Sequence, residues 1–307
     1  MIKKPKPWQK KYYPNKDGTP SVFYVETVLA CNLACPECAI GVDVITRNKK
    51  ILKLSEFEII SKKIEPYAKL VYLHKWGEPF MNKNIIPMIR EVSKYAHPHI
   101  STNGHFLDEK NTEDVITSGL GTLIISIDGV SQEIYDKYRV KGNVELVKEN
   151  IARVAKLNEK YGNPVDVLPQ FIVFDHNYHE KDKFADFCKK INLRPIFKSP
   201  YIRFGSVKES NDKNFQRIKY TSQESHLNAI SGCNNGDTTM TITADGSLLL
   251  CSQDYNKEFK LGSLLEPDTT VPKLWNNPYY KKIRDDIINK NPPEICKKSC
   301  MFFNPGY

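Results

Sequence analysis

Strand-type and helix-type runs alternate along residues 21–200, and no other feature of the chain restricts its fold as tightly. Apolar and β-branched runs at 21–30, 70–76, 97–104, 122–129, 165–174 and 194–200 are separated by amphipathic stretches at 55–67, 84–96, 109–119, 131–138 with 143–161, and 179–191. Ser55 and Glu58 open the first amphipathic stretch with the spacing of a capping box. Strands joined through connections of this length line up in parallel, and each crossover is right-handed. The expected class is α/β, a parallel sheet curled into a partial (β/α)6 TIM-like barrel. In such a barrel function collects at the C-terminal ends of the strands. Hydrophobic residues make up 40% of the 307, enough for a core of that size.

The rest of the chain divides around this core. Residues 1–20 read as a basic arm, with six lysines among the first sixteen positions. Residues 21–200 are the barrel core, and 201–229, which include the polar run at 204–216, read as a linker. Residues 230–307 form a small unit: a β-hairpin around Asp245-Gly246, a helix over 271–289, and a cysteine-bearing tail. That unit is too short for a good core of its own, so it leans on the barrel or is stapled by metal. The net charge of +9 sits partly in the arm, without the arginine–aromatic interleaving of a nucleic-acid surface. It suits steering of an anionic substrate and gives no reason to expect nucleic acid. There is no signal-peptide pattern and no run of eighteen apolar residues, which points to a cytoplasmic protein without a membrane segment. Eight cysteines in a reducing compartment are then better explained by metal or redox chemistry than by disulfides.

Three of those cysteines, Cys31, Cys35 and Cys38, share the loop after the first strand. Thiolates are soft ligands suited to iron–sulfur clusters or zinc, and three of them leave a fourth position open. The CxxxCxxC spacing behind the first strand of a βα series resembles the radical S-adenosylmethionine (radical SAM) superfamily. The resemblance implies that these thiolates hold a [4Fe–4S] cluster whose open iron chelates SAM. Gly77-Glu78-Pro79 looks like the family's Gly-Gly-Glu-Pro motif, which meets the SAM amino group, with Trp76 in place of the first glycine. Ser101 and Asn103 at the end of the third strand, and Ser126 and Asp128 at the end of the fourth, resemble positions around the SAM ribose and carboxylate. Arg139 matches an arginine that binds the carboxylate, a task suited to its planar fork. Singly, each of these segments is a turn. Their order on successive strand ends carries the resemblance.

Cys233, Cys251, Cys296 and Cys300 form a second set. Twelve residues separate Cys233 from Gly246 and four separate Gly246 from Cys251, which resembles the opening of the SPASM auxiliary domain. With four cysteines the tail looks like its truncated "twitch" form, an iron–sulfur domain with one auxiliary [4Fe–4S] cluster. Structural zinc is the alternative for an all-thiolate set. His74, Lys75 and Cys188 are the candidate catalytic side chains, with His176, Asn177 and Glu180 at a similar rim position. Cys188, beside Phe184 and Phe187, also reads as a core thiol.

The resemblance implies reductive cleavage of SAM to a 5′-deoxyadenosyl radical and abstraction of hydrogen from a substrate C–H bond, with an electron donor such as flavodoxin or ferredoxin. About thirty residues precede Cys31, leaving no space there for a peptide-leader domain. The expected substrate is therefore a small polar molecule of sugar or cyclitol type, dehydrogenated or epimerised. Modification of a ribosomally made peptide is the second reading. A non-enzymatic iron–sulfur or zinc protein, acting in electron transfer or as a scaffold, is the third.

Overall fold

The computed structural model describes residues 12–216 and 223–299. Cys300 and part of the basic arm and linker lie outside the described residues. Six strands match the six runs: β1 (Val22–Val25), β2 (Leu70–Tyr72), β3 (His97–Thr102), β4 (Thr122–Ser126), β5 (Asp166–Ile172) and β6 (Ile196–Lys198). Two more, β7 (Thr239–Ile242) and β8 (Leu248–Leu249), make the hairpin. Helices α1 (Leu54–Ile64), α2 (Ile85–Val92), α3 (Glu109–Ile116), α4 (Gln132–Asp136), α5 (Val144–Lys160) and α6 (Lys181–Lys190) supply the crossovers. After them come α7 (Gln223–Ser231), α8 (Val271–Trp275), α9 (Pro278–Ile288) and α10 (Glu294–Ser299).

The sheet runs β6-β5-β4-β3-β2-β1-β7-β8, with every pair parallel except β7–β8. The α/β class with a partial TIM-like barrel therefore stands, but the sheet does not end at the sixth strand. β7 adds in parallel to β1, pairing Phe23 with Met240 and Tyr24 with Thr241. Left alone, β1 would be an edge with unpaired backbone groups, and the hairpin covers that edge.

Period-two alternation gives the sheet one apolar and one polar face. Phe23, Val25, Val71, Ile100, Leu123, Ile125 and Phe171 belong to one buried core cluster with Phe57 and Ile60 of α1, Met88 and Ile89 of α2, and Val147 and Ile151 of α5. The opposite face is aromatic and polar. Register sets Tyr24 beside Tyr72 and Tyr72 beside His99, and the two tyrosine rings stack with centroids 4.2 Å apart. A polar inner wall is not what packing alone would select, so this face is built for contents.

Local corrections follow from tertiary contacts. α1 starts at Leu54, so the Ser55–Glu58 box does not form; Glu56 instead accepts the Lys53 amide at 3.1 Å and the Lys50 ammonium at 2.7 Å. β1 stops at Val25 because Glu26 turns to other work. Its fully buried carboxylate pairs with the Arg47 guanidinium and accepts the Ala244 N–H at 3.1 Å, while Arg47 Nε donates to the Tyr255 carbonyl at 2.7 Å. One ion pair thus joins the end of β1, the segment after the thiol loop, the hairpin turn and the loop beyond it. Breaking such a pair strands a buried charge, which costs about 3–5 kcal/mol. Arg47→Ala is expected to lower unfolding stability by that amount in urea titrations followed by circular dichroism. It is also expected to speed proteolysis around residues 244–256.

Candidate active site

A cavity of about 280 Å³ opens at the C-terminal ends of the strands, lined by Cys31, Cys35, Cys38, Glu78, Asn103 and Arg139 among others. The thiols ride on a loop without regular structure, so neighbours must fix it. Glu37, buried between Cys35 and Cys38, accepts backbone N–H groups from Arg203 and Phe204 at 2.5 Å and from Ser206 at 2.6 Å. Gly41 passes so close to Cys35 that a Cβ there would lie 2.2 Å from the Cys35 carbonyl oxygen. The Glu78 N–H donates to the Ala30 carbonyl at 2.8 Å.

The donors around the sulfurs suit a cluster. Leu33 N–H reaches Cys31 Sγ at 3.4 Å, Asn103 Nδ2 reaches it at 3.8 Å, and Arg139 Nη1 lies 3.9 Å from Cys35 Sγ. Burial pushes the Cys31 thiol up and the Cys35 thiol up to about 12, so ligation must replace the protons. Among the described residues no three His, Cys, Asp or Glu side chains form a group suited to a single metal ion. Thiols surrounding a cavity suit a polynuclear cluster, whose ligands attach to separate irons.

Gly77 sits at φ +87°, and a Cβ on it would meet the Val28 and Ala30 carbonyl oxygens at 2.3 and 2.7 Å. Its smallness thus serves the crossing of two loops. Glu78, also buried, accepts the Thr102 hydroxyl at 2.7 Å, the Asn103 N–H at 2.8 Å and the Phe80 N–H at 3.2 Å. Burial still pushes its carboxyl above the ordinary range. An ammonium in the cavity would restore the missing solvation. Pro79, itself buried, begins a 3₁₀ turn outside the cavity lining. Ser101 and Ser126 line the cavity.

Asp128 is placed differently from its expectation. It is fully buried, with Oδ2 taken by Arg139 at 2.6 Å and Oδ1 by the Ile172 N–H at 2.6 Å. It is absent from the cavity lining and serves to aim the arginine, whose protonated form it and Cys35 favour strongly. Cys188 lies in the core on α6 with its thiol pushed up to about 12 by burial, away from the cavity, so it has no access to substrate. Asn177 spends its amide on the carbonyls of Asp128 and Ile172, and Glu180 accepts the Val130 and Ser131 amides, so both are structural.

His74 and Lys75 do line the cavity. His74 Nδ1 accepts the Ser101 N–H at 3.1 Å, and burial drives its pKa down to about 3, so it is a neutral ring fixed in place. Lys75 Nζ donates to Ser252 Oγ at 3.0 Å and stands 4.1 Å over the Tyr24 ring. Burial brings it down to about 8. Lys75 therefore connects the barrel wall to the residue after Cys251.

In the C-terminal unit Cys233 precedes β7, Cys251 follows β8 and Cys296 lies on α10. Cys251 Sγ accepts the Gln253 N–H at 3.3 Å, and Cys233 Sγ lies 3.6 Å from Asn235 Nδ2. The Tyr280 hydroxyl is buried without a partner, and burial pushes its pKa up. The N–H donors around Cys233 and Cys251 fit an iron–sulfur group, whose sulfurs accept hydrogen bonds. Sequence reasoning missed Glu37, Gly41, Arg203 and Tyr280. Glu37, between two of the motif's cysteines, was the one with a signal.

The family model of the Radical SAM superfamily matches residues 25–187, and that of an iron–sulfur cluster-binding domain, SPASM, matches 233–301. The GTP 3′,8-cyclase of Limosilactobacillus fermentum is 26% identical over 92% of this chain and 97% of its own. The probable GTP 3′,8-cyclase of Methanocaldococcus jannaschii is 25% identical over 82% and 93%. Among solved structures, Streptococcus suis SuiB bound to S-adenosylmethionine superposes with a TM-score of 0.71 at 14% identity, covering 94% of this chain and 76% of that one. BtrN in complex with AdoMet and 2-DOIA gives 0.59 at 18% identity, covering 91% and 92%. No helix among the described residues is long and apolar enough to cross a membrane.

Gly77→Ala combines a disfavoured φ with a backbone clash, so the crossing must open. We expect it to lower the melting temperature and to weaken SAM binding at least about tenfold by calorimetry, as misplacement of a binding loop does.

Proposed function

The chain belongs to the radical SAM superfamily and carries a SPASM-type iron–sulfur domain, and on that premise we propose that it oxidises or epimerises a small polar substrate by removing hydrogen from carbon. A [4Fe–4S] cluster with SAM and an auxiliary cluster are the cofactors these two domains imply. When bound, the first cluster and SAM supply reductive cleavage of SAM to methionine and a 5′-deoxyadenosyl radical that takes hydrogen from carbon. Cys31, Cys35 and Cys38 would hold the first cluster, and Cys233, Cys251, Cys296 and Cys300 the second.

The observation that carries the reading is the common cavity. The three thiols, the desolvated Glu78 carboxylate and the Asp128-aimed Arg139 guanidinium all converge on it. Glu78 would take an ammonium, Arg139 a carboxylate, and Ser101, Asn103 and Ser126 hydroxyl groups, which together match the polar groups of SAM. His74 gives a neutral, fixed surface, and Lys75 is poised to exchange a proton near neutral pH. The hydrogen-bonding and charged side chains at this cavity, Lys75, Ser126 and Arg203 among them, favour a polar substrate group over a large apolar ligand. A peptide substrate is the second reading, supported by the four aromatic rings gathered around Arg203, which suit a peptide side chain. An acidic one-electron donor of flavodoxin or ferredoxin type would supply the reductant.

After anaerobic reconstitution, dithionite and SAM are expected to give 5′-deoxyadenosine, read by chromatography. The Cys31/Cys35/Cys38 triple alanine variant should give none, and Cys251→Ala should keep part of the activity. Iron should fall from about eight to about four per chain in the triple variant, one cubane per thiol set. A wild type that binds about eight irons yet never cleaves SAM would overturn the reading.

A further inference from the structure

Arg203 follows β6 and lines the same cavity, yet nothing in the thiol or SAM machinery uses it. Its guanidinium lies 5.2 Å from the Trp76 ring centroid, 5.3 Å from Tyr201, 5.7 Å from Tyr255 and 5.8 Å from Phe204. Glu37 clamps the backbone at 203, 204 and 206, so this position is built. Aromatic faces steady a cation, but they do not accept its directional N–H bonds. Arg203 Nε and Nη1 are buried with no acceptor, and so is Trp76 Nε1. Among the described residues, no ion pair includes Arg203 or Lys75. Lys75 leans on Ser252, beside the C-terminal thiols, and repels Arg203 across this corner.

Three idle donors and an unneutralised guanidinium at the edge of a reaction cavity call for an acceptor that has both charge and two oxygens. A hydroxyl or carbonyl group would fill one bond and leave the charge. A carboxylate or phosphate matches the guanidinium fork in geometry and sign. We propose that Arg203, with Trp76 Nε1, recognises an oxyanion of the substrate, a phosphate monoester or a carboxylate, and so orients the carbon to be attacked. The proposal rests on the radical SAM reading of the same cavity. It also gives Trp76 a purpose where the motif otherwise has glycine, since glycine has no donor to offer.

The test is isothermal titration calorimetry on cluster-reconstituted, SAM-loaded protein, with inorganic phosphate and acetate as probes and chloride as the control at equal ionic strength. Saturable binding of either oxyanion is expected, weakened at least about tenfold in Arg203→Gln, the loss that removal of a charge-assisted pair produces. Arg203→Lys keeps the charge without the fork and should fall between. Trp76→Phe keeps the ring and loses one donor, so it should show a smaller loss. These last two carry the test if Arg203→Gln does not fold. Preference for phosphate marks a phosphoester substrate, and preference for acetate a carboxylate. Absence of oxyanion binding above chloride, or binding equal in wild type and variants, overturns the proposal. So does weakened SAM affinity in Arg203→Gln without oxyanion binding in wild type, which would assign the arginine to SAM itself. SAM cleavage by wild type is measured on the same samples: its absence defeats the radical reading, whereas cleavage without oxyanion binding defeats this inference alone.

Discussion

Three thiols that line one cavity must be held in place by a loop that has no hydrogen-bonded ladder of its own, and the upper half of the molecule is organised around that constraint. The Glu37 carboxylate is the main fixture. It lies inside the cysteine motif and collects three N–H donors from the segment after β6. Charge-assisted bonds of this kind are the strong ones. One end of the barrel is thereby tied to the other, so the thiols and Arg203 cannot move independently. Gly41 and Gly77 complete the fixture by letting backbones approach where a Cβ would collide.

Electrostatics within the cavity follow from the same closeness. Carboxylates and cations are buried in pairs or left deliberately short of partners. Asp128 takes Nε and Nη2 of Arg139 and leaves Nη1 toward the thiols, whereas the buried Glu78 and Arg203 have no ion-pair partner among the described residues. Unmet polar groups are costly in a core. At a cavity wall they are the signature of contents, and here their signs are ordered. The anionic Glu78 and the cationic Arg139 lie with the thiols, and the cationic Arg203 lies toward the aromatic corner.

The C-terminal unit is joined to the barrel by more than a linker. β7 covers the edge of β1, Arg47 and Glu26 connect it to the thiol loop, and Lys75 reaches from the barrel wall to Ser252. The two thiol sets therefore belong to one continuous structure. This arrangement was hidden in the sequence because the Asp245-Gly246 pair announces a hairpin but not the strand it will pair with. Pairing partners far apart in sequence are chosen by which edge is open.

Much was legible all the same. Alternating runs specify their own secondary structure, since strand and helix periodicities bury different faces, and the six parallel strands follow from the length of the connections. Thiol spacing is a local property, so the convergence of Cys31, Cys35 and Cys38 on one cavity could be read directly, as could the strand-end segments near them. What the sequence could not decide is which side chains face the cavity. Asp128 and Arg139 both occupy promising positions, yet one is buried behind the other because the Ile172 amide claims its second oxygen. Cys188 and His74 both carry reactive chemistry, but α6 turns the first into the core while the segment after β2 sets the second at the cavity. Arg203 and Tyr280 had no motif to mark them. Their meaning comes from donors left without acceptors, a property that exists only once the chain has closed around them.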